Sequence, residues 1–385
     1  MDKMRIVLIR SNPVRPYPRL EKMVSTLIKV GYKAHVLAWD REATYLAKEE
    51  MLRVSTGEVP ITRFGIKAEF SAGSKTIISL LRFQLCILAW LVKHKNEYDV
   101  IHAYDFDTGF IGSLCARMLN KKLVYDIPDY YVDGHGLRGT IIGAWIQKKE
   151  NAIIDYADAT IICTEKRRNQ IKGTNPKRLA VIHNTPQKEQ LSEIIDENRF
   201  VFDNSKLRIG YVGIFGRTRF LDKIAEFVMR REDCEFHVGG YGQSMEKYFE
   251  DCSNLCPRIK YYGKLQYNET LYVESKCDII CAVYDPSIPN HDYAAPNKFY
   301  EALMIGKPII MAKNTGVDEI VADNDIGIVI NYDAESFEKA IDEFIKRKED
   351  WKEMGERARF IYETQFSWNV MEKRIVDLYH QIEND

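Results

Sequence analysis

Arg5-Ile-Val-Leu-Ile-Arg10 is followed by apolar residues at Leu20, Val24, Leu27 and Ile28, a glycine at 31, and Ala34-His-Val-Leu-Ala-Trp39. The two short runs are apolar and β-rich, and read as strands. The residues between them recur at i, i+4, i+7 and i+8, the spacing of one face of a helix. Gly31 suits the reversal that ends that helix. Strand, helix, strand in this order is a parallel βαβ unit.

The same alternation extends along the chain. Pro60–Phe64 reads as a strand and Thr76–His94 as a long helix. Val100–Ala103, Lys122–Asp126, Thr160–Cys163 and Leu179–Ile182 continue the strand series. Residues 184–206 break the rhythm: Asn184-Thr-Pro186 is turn chemistry, and Gln187–Ser205 is polar and acidic, with room for one short helix. Leu207–Val212 then restarts it, with a helix marked by Leu221, Ile224, Phe227 and Val228. Cys234–Val238, Ile259–Tyr262, Asp278–Val283, Pro308–Ala312 and Gly327–Ile330 are further strands, and residues 334–383 read as two or three closing helices. The expected fold is α/β, with two doubly wound Rossmann-like domains facing across a cleft. Their expected bounds are 1–185, a linker at 186–206, 207–365, and a closing helix at 366–385 that packs back on the first domain. Ligands of such sheets bind outside the carboxyl ends of the strands, and a cleft between two domains is the default site. Neither G-x-G-x-x-G nor G-x-x-x-x-G-K-[ST] occurs, which disfavours a standard dehydrogenase or P-loop enzyme.

With 385 residues, 45% hydrophobic and 29% charged, the chain has the composition of a folded protein of two or three domains. Ile6–Ile9 is too short for a signal-peptide core, so a cytoplasmic location is expected. Eight scattered cysteines fit a reducing compartment. Cys252-x3-Cys256 and Cys277-x3-Cys281 could supply four thiolates to zinc, but Cys277 and Cys281 border or enter an apolar strand, where cysteine packs as a small hydrophobe. No metal site is expected. The apolar stretch Ile77–Val92 falls short of the ~20 residues of a bilayer span. It is apolar nearly all round, so it reads as a buried helix, with lipid contact as the other reading.

The net charge of −1 suggests no nucleic acid partner, but it hides a division. Residues 1–185 hold 29 Lys+Arg and 19 Asp+Glu, or +10; residues 186–385 hold 26 and 37, or −11.

The segment richest in chemistry is Ala295-Pro-Asn-Lys-Phe-Tyr-Glu-Ala-Leu-Met-Ile-Gly-Lys-Pro-Ile-Ile310. Pro296 can open a helix, which puts Asn297 and Lys298 at an anion-attracting N-terminus. Glu301 follows one turn on, where a carboxylate can accept two hydroxyls of a ribose. The plainer alternative is a capped helix with Lys298 and Glu301 solvated as an i, i+3 pair. Gly239-Gly-Tyr-Gly242 follows a strand and would let backbone at Gly240 and Tyr241 approach a base or phosphate.

With these motifs in place, the chain resembles the family 4 glycosyltransferases, retaining enzymes of the two-domain GT-B fold. Pro296, Lys298, Glu301, Gly306, Lys307 and Pro308 match the family's P-x-K-x-x-E and G-K-P pattern. Tyr98–His102, Ala157–Thr164, Val181–Asn184, Tyr211-Val-Gly213 and Phe366-Ser-Trp368 match further family segments in order. The resemblance implies a nucleotide-sugar donor held mainly by the second domain, a glycan or lipid-linked acceptor, and no metal or other cofactor. It puts Glu301 on the donor ribose and Arg219 on the diphosphate. The family's other basic residue aligns with Ile214, and Arg217 is its substitute. Tyr293 stands where relatives have a sugar-contacting glutamate, leaving that contact to Asp292 or His291. Pro128 stands where relatives often have a histidine, leaving Asp129 or Asp126 for a polar role. Arg19, ending the loop Asn12–Arg19, would sit at the cleft mouth beside an anionic acceptor or donor phosphate.

The expected activity is therefore sugar transfer in surface polysaccharide or glycolipid synthesis. A nucleotide-sugar 2-epimerase and a non-catalytic sugar-nucleotide-binding subunit are the competing readings. The basic half would face an anionic membrane carrying the acceptor, as a peripheral protein.

Overall fold

The computed structural model describes residues 3–68, 74–188, 195–242 and 244–385. The chain divides into two compact units, Met1–His183 with Met371–Asp385, and Asn184–Val370. Of the linker, residues 189–194 lie outside the described residues, and Glu197–Arg199 form a single 3-10 turn.

The first unit is built on an eight-stranded sheet. Its strands are β1 (Arg5–Arg10), β2 (Lys33–Asp40), β3 (Tyr45–Val54), β4 (Gly57–Gly65), β5 (Val100–Tyr104), β6 (Lys122–Ile127), β7 (Ala159–Ile162) and β8 (Leu179–Val181). The order is β3-β4-β2-β1-β5-β6-β7-β8, and only β3 runs antiparallel. The inner strands are apolar because helices cover both faces of a parallel sheet. Its helices are α1 (Pro18–Lys29), α2 (Ser74–Lys93), α3 (Asp105–Leu119), α4 (Tyr131–Gly134) and α5 (Ile141–Tyr156). Residues of α2, α3 and α5 share one core with Val7, Trp39 and Ile101 of the sheet.

Two findings differ from the sequence expectation. β3 was not expected, because Lys48-Glu49-Glu50 interrupts the apolar pattern of Tyr45–Val54, which lies largely exposed at the sheet edge. Charged residues suit an edge strand, since they discourage pairing with another chain. The second is α2, which is not a buried helix. Phe83, Ile87 and Leu91 are buried, but Ile77, Ile78, Leu81 and Leu85 are exposed.

The second unit carries a six-stranded, wholly parallel sheet: β9 (Leu207–Ile214), β10 (Cys234–Tyr241), β11 (Ile259–Tyr261), β12 (Ile279–Ala282), β13 (Ile309–Ala312) and β14 (Gly327–Ile330). Its helices are α6 (Leu221–Arg230), α7 (Glu246–Leu255), α8 (Tyr267–Lys276), α9 (Asn297–Ile305), α10 (Asp318–Asp323), α11 (Ala334–Lys346) and α12 (Trp351–Ile361), and α13 (Trp368–Glu383) closes the chain. The strand order β11-β10-β9-β12-β13-β14 reverses direction between β9 and β12. That reversal opens a crevice at the carboxyl ends of the two strands. Cys252, Cys256 and Cys281 are buried in one apolar cluster of this unit and Cys277 in another.

One buried acid marks the first unit. Glu150 of α5 is fully buried and accepts a 2.8 Å hydrogen bond from the Tyr125 hydroxyl. Burial pushes its carboxyl from an ordinary 4.5 up to about 8. The folded state then holds this proton more tightly than the unfolded chain, so stability falls as pH rises between those values. Glu150→Gln removes this contribution. Its melting temperature should match the parent near pH 5 and exceed it near pH 9, as measured by thermal unfolding at both.

Candidate functional site

The crevice of the second unit is lined from both sides. β9 ends in Tyr211-Val-Gly213-Ile214, beside Gly240 and Tyr241 at the end of β10. Gly240 is dictated by close approach. A Cβ on Gly240 would lie 1.8 Å from the Gly213 carbonyl oxygen, and Gly240 holds φ +140°. A Cβ on Gly213 would lie 3.5 Å from Cε of Lys298, so the end of β9 runs directly beside that side chain. Tyr241 stays exposed, with the Lys264 ammonium 4.9 Å from its ring centroid.

After β9 the chain turns through a 3-10 segment, Arg217–Arg219, and enters α6 through Phe220 at φ +63°. A buried aromatic residue with positive φ is strained, and such strain persists only where its surroundings enforce it. It leaves Arg217 exposed and Arg219 half-buried. The Arg219 guanidinium lies 3.7 Å from the ring centroid of Tyr284, just past β12. This cation–π contact holds the arginine across the reversal point.

From Tyr284 the chain passes through a second 3-10 turn, Pro289–Tyr293, where Tyr293 is half-buried. His291 is held there by its Nδ1, 2.7 Å from the Asp285 carbonyl oxygen. Pro296 caps α9, Gly306 ends it at φ +70°, and Asn297 is exposed at its first turn, with its Oδ1 3.3 Å from Nδ2 of Asn184.

The plainer alternative, a solvated Lys298–Glu301 pair, is not what the structure shows. Both side chains are buried and joined in an ion pair, and the ammonium also lies 3.0 Å from Glu274 of α8. Burial pushes the Glu274 carboxyl well above its ordinary range, with Lys298 opposing and Glu301 reinforcing the shift. Burial disfavours the Lys298 charge, but the two carboxylates outweigh it and hold the ammonium protonated. The hydroxyl of Tyr267 also binds Glu301. Glu274 went unnoticed in the sequence because it lies on a different helix and belongs to no motif.

Arg19 and Asp129 belong to the other unit. Arg19 is not a free cation at a cleft mouth. It is buried, donating to Asp126 at 2.7 Å and to the Ile182 carbonyl at 2.8 Å. The reason is the stripe of α1: Arg19 sits on its buried side beside Leu20 and Met23, so it needs an internal partner. Asp129 accepts from Arg167 at 2.8 Å. Asp105 and Asp107 lie just past β5, where Asp105 pairs with Arg10 and Asp107 accepts from Ser11 at 3.0 Å.

Residues 206–347 match the family model described as glycosyl transferases group 1. Over that stretch the chain is similar to the group 1 glycosyltransferases. Among its relatives is the D-inositol 3-phosphate glycosyltransferase of Corynebacterium diphtheriae, 20% identical over 74% of this chain and 71% of the relative. Among solved structures, sucrose-phosphate synthase from Thermosynechococcus elongatus aligns with TM-score 0.79 at 15% identity, covering 99% of this chain and 100% of that one. Anabaena HepE in complex with UDP-glucose aligns with TM-score 0.70 at 13% identity, covering 98% and 100%. The two α/β units have the GT-B fold of these structures.

Removing one member of a buried ion cluster leaves the rest uncompensated, at a cost of ~3–5 kcal/mol. Lys298→Met should therefore lower stability by about that amount in urea unfolding. Adding Glu274→Gln, which removes one stranded carboxylate, should recover part of the loss.

Proposed function

We propose that the chain is a retaining, metal-independent family 4 glycosyltransferase. It moves a sugar from a nucleotide-sugar donor to a glycan or lipid-linked acceptor in surface polysaccharide or glycolipid synthesis, on the cytoplasmic side of the membrane. The observation that carries this reading is the set of cations at one strand-order reversal: Arg217, Arg219 and Lys298, with the N-terminus of α9. A diphosphate leaving group has the charge that such a set accommodates, since arginine donates paired hydrogen bonds to phosphate oxygens and a helix N-terminus favours anions. Glu301, anchored by Lys298, is set to accept the ribose hydroxyls. Gly213, Gly240 and Tyr241 would border the nucleotide, Pro296 and Asn297 the phosphates, and Tyr293 the sugar.

In this reading the bond between the sugar carbon and the diphosphate oxygen breaks. The acceptor hydroxyl forms the new bond on the same face, and its proton passes to the departing phosphate. The arginines stabilise charge that grows as this bond breaks, which is the interaction that accelerates the reaction rather than only binding the donor.

Four measurements test it. UDP-, GDP- and ADP-sugars are screened by thermal shift, with UDP-glucose first because HepE holds it. One of them should raise the melting temperature, since a ligand that binds only the folded state stabilises it; no shift with any of them sinks the proposal. Arg219→Ala should lower transfer by roughly 10²–10³, the usual loss when one charge-stabilising donor is removed. Activity should survive EDTA. Incubation with donor alone should give slow hydrolysis at most; epimerised donor would identify an isomerase instead.

A further inference from the structure

The layer formed by α2, α3 and α5 is apolar on the side away from the sheet as well. A surface helix normally turns a charged face to water. On α2, Ile77, Ile78, Leu81 and Leu85 are each more than half exposed and form one stripe. On α3, Met118 is exposed one turn beyond Leu114. On α5, Ile141 is 91% exposed and is followed by exposed Ile142 and Trp145. The Trp145 ring lies 6.1 Å from Phe110 and 6.4 Å from Phe106, which ties the α5 residues to α3. Separate exposed apolar residues are ordinary, but a patch gathered from three neighbouring helices marks an interaction surface.

The exposed charged residues of α2 and α3 among the described residues, Arg82, Lys93 and Arg117, are all cationic. α2 contains no Asp or Glu, and its Arg82 is exposed. Lys148 and Lys149 are exposed on α5, with the Lys149 ammonium 5.9 Å from the Trp145 ring. The carboxylates of α5 face elsewhere: Glu150 into the core, and Asp155 to the Asn175 amide at 2.6 Å. No helix among the described residues is long and apolar enough to cross a membrane.

We propose that this three-helix face is a docking surface for an anionic lipid bilayer, on which the protein lies without spanning it. The apolar residues would enter the headgroup–acyl boundary while Arg82, Lys148 and Lys149 meet lipid phosphates, the division of labour of interfacial helices. A second copy of the chain fits less well. A two-fold contact over this face would bring cationic rims of like sign together, with no acidic residue on α2 to answer them. The proposal does not depend on the transfer reading, because docking requires no donor.

The test is co-sedimentation of the full chain with phosphatidylcholine vesicles and with vesicles containing about one-third phosphatidylglycerol. Binding should favour the anionic vesicles at least tenfold and weaken in high salt. Leu85→Glu with Ile142→Glu, and separately Lys148→Glu with Lys149→Glu, should each weaken it at least tenfold. The melting temperature should not change, since all four side chains are exposed. Sedimentation with neither vesicle, equal binding to both, or full binding by both variants would overturn the proposal. So would a dimer in light scattering that Leu85→Glu dissociates in a chain that ignores vesicles.

Discussion

A lysine ammonium removed from water has to be neutralised where it lies. In the second unit that requirement falls on Lys298, and Glu301 and Glu274 meet it. The pairing ties two helices, α8 and α9, to each other. It also fixes the lysine beside Gly213, at the end of the sheet's first strand. From there the remaining geometry follows. Gly240 must lack a side chain to pass close over Gly213, and the strand-order reversal lies between them and Tyr284. A buried cluster of this kind is costly to assemble and more costly to break, so it fixes position strongly even where it adds little net stability. The Glu301 carboxylate is ordered in this way before any ligand arrives.

The first unit uses its buried charges differently. Arg19 and Asp126 neutralise each other, His102 lies 3.6 Å from the same carboxylate, and Tyr379 of the closing helix contacts His102 at 2.7 Å. These groups join α1, β5, β6 and the chain's last helix inside one unit. Its excess of positive charge is therefore divided. Some cations, such as Arg19 and Arg10, are paired internally, whereas Arg82, Lys148 and Lys149 lie on the surface beside exposed apolar residues. Only the surface cations can act on a partner.

How much of this was legible in the sequence depended on the range of the physics. The strands of both sheets were legible because a parallel strand buried on both faces must be apolar along its length. β3 was not, because an edge strand can be polar and still pair through its backbone. The capped start of α9 and its glycine end were legible because capping depends on residues a few positions apart. The burial of Lys298 was not, because its second partner, Glu274, lies 24 positions earlier, on another helix. Arg19 was legible as a cation in a proline-rich loop, but its partner Asp126 is 107 positions away. α2 was misjudged for a related reason: an apolar run shows that a helix avoids water, not which of its faces another helix covers.

The sequence by itself determined the architecture: two repeats of alternating strand and helix, with glycine, proline and cationic residues at their ends. These are properties of backbone conformation and side-chain periodicity, which act between near neighbours along the chain. Only the tertiary structure decided which charges are neutralised, which are left to meet a ligand, and which apolar residues remain outside. Those outcomes rest on Coulomb attraction and burial, which act through space and depend on chain order only through the fold.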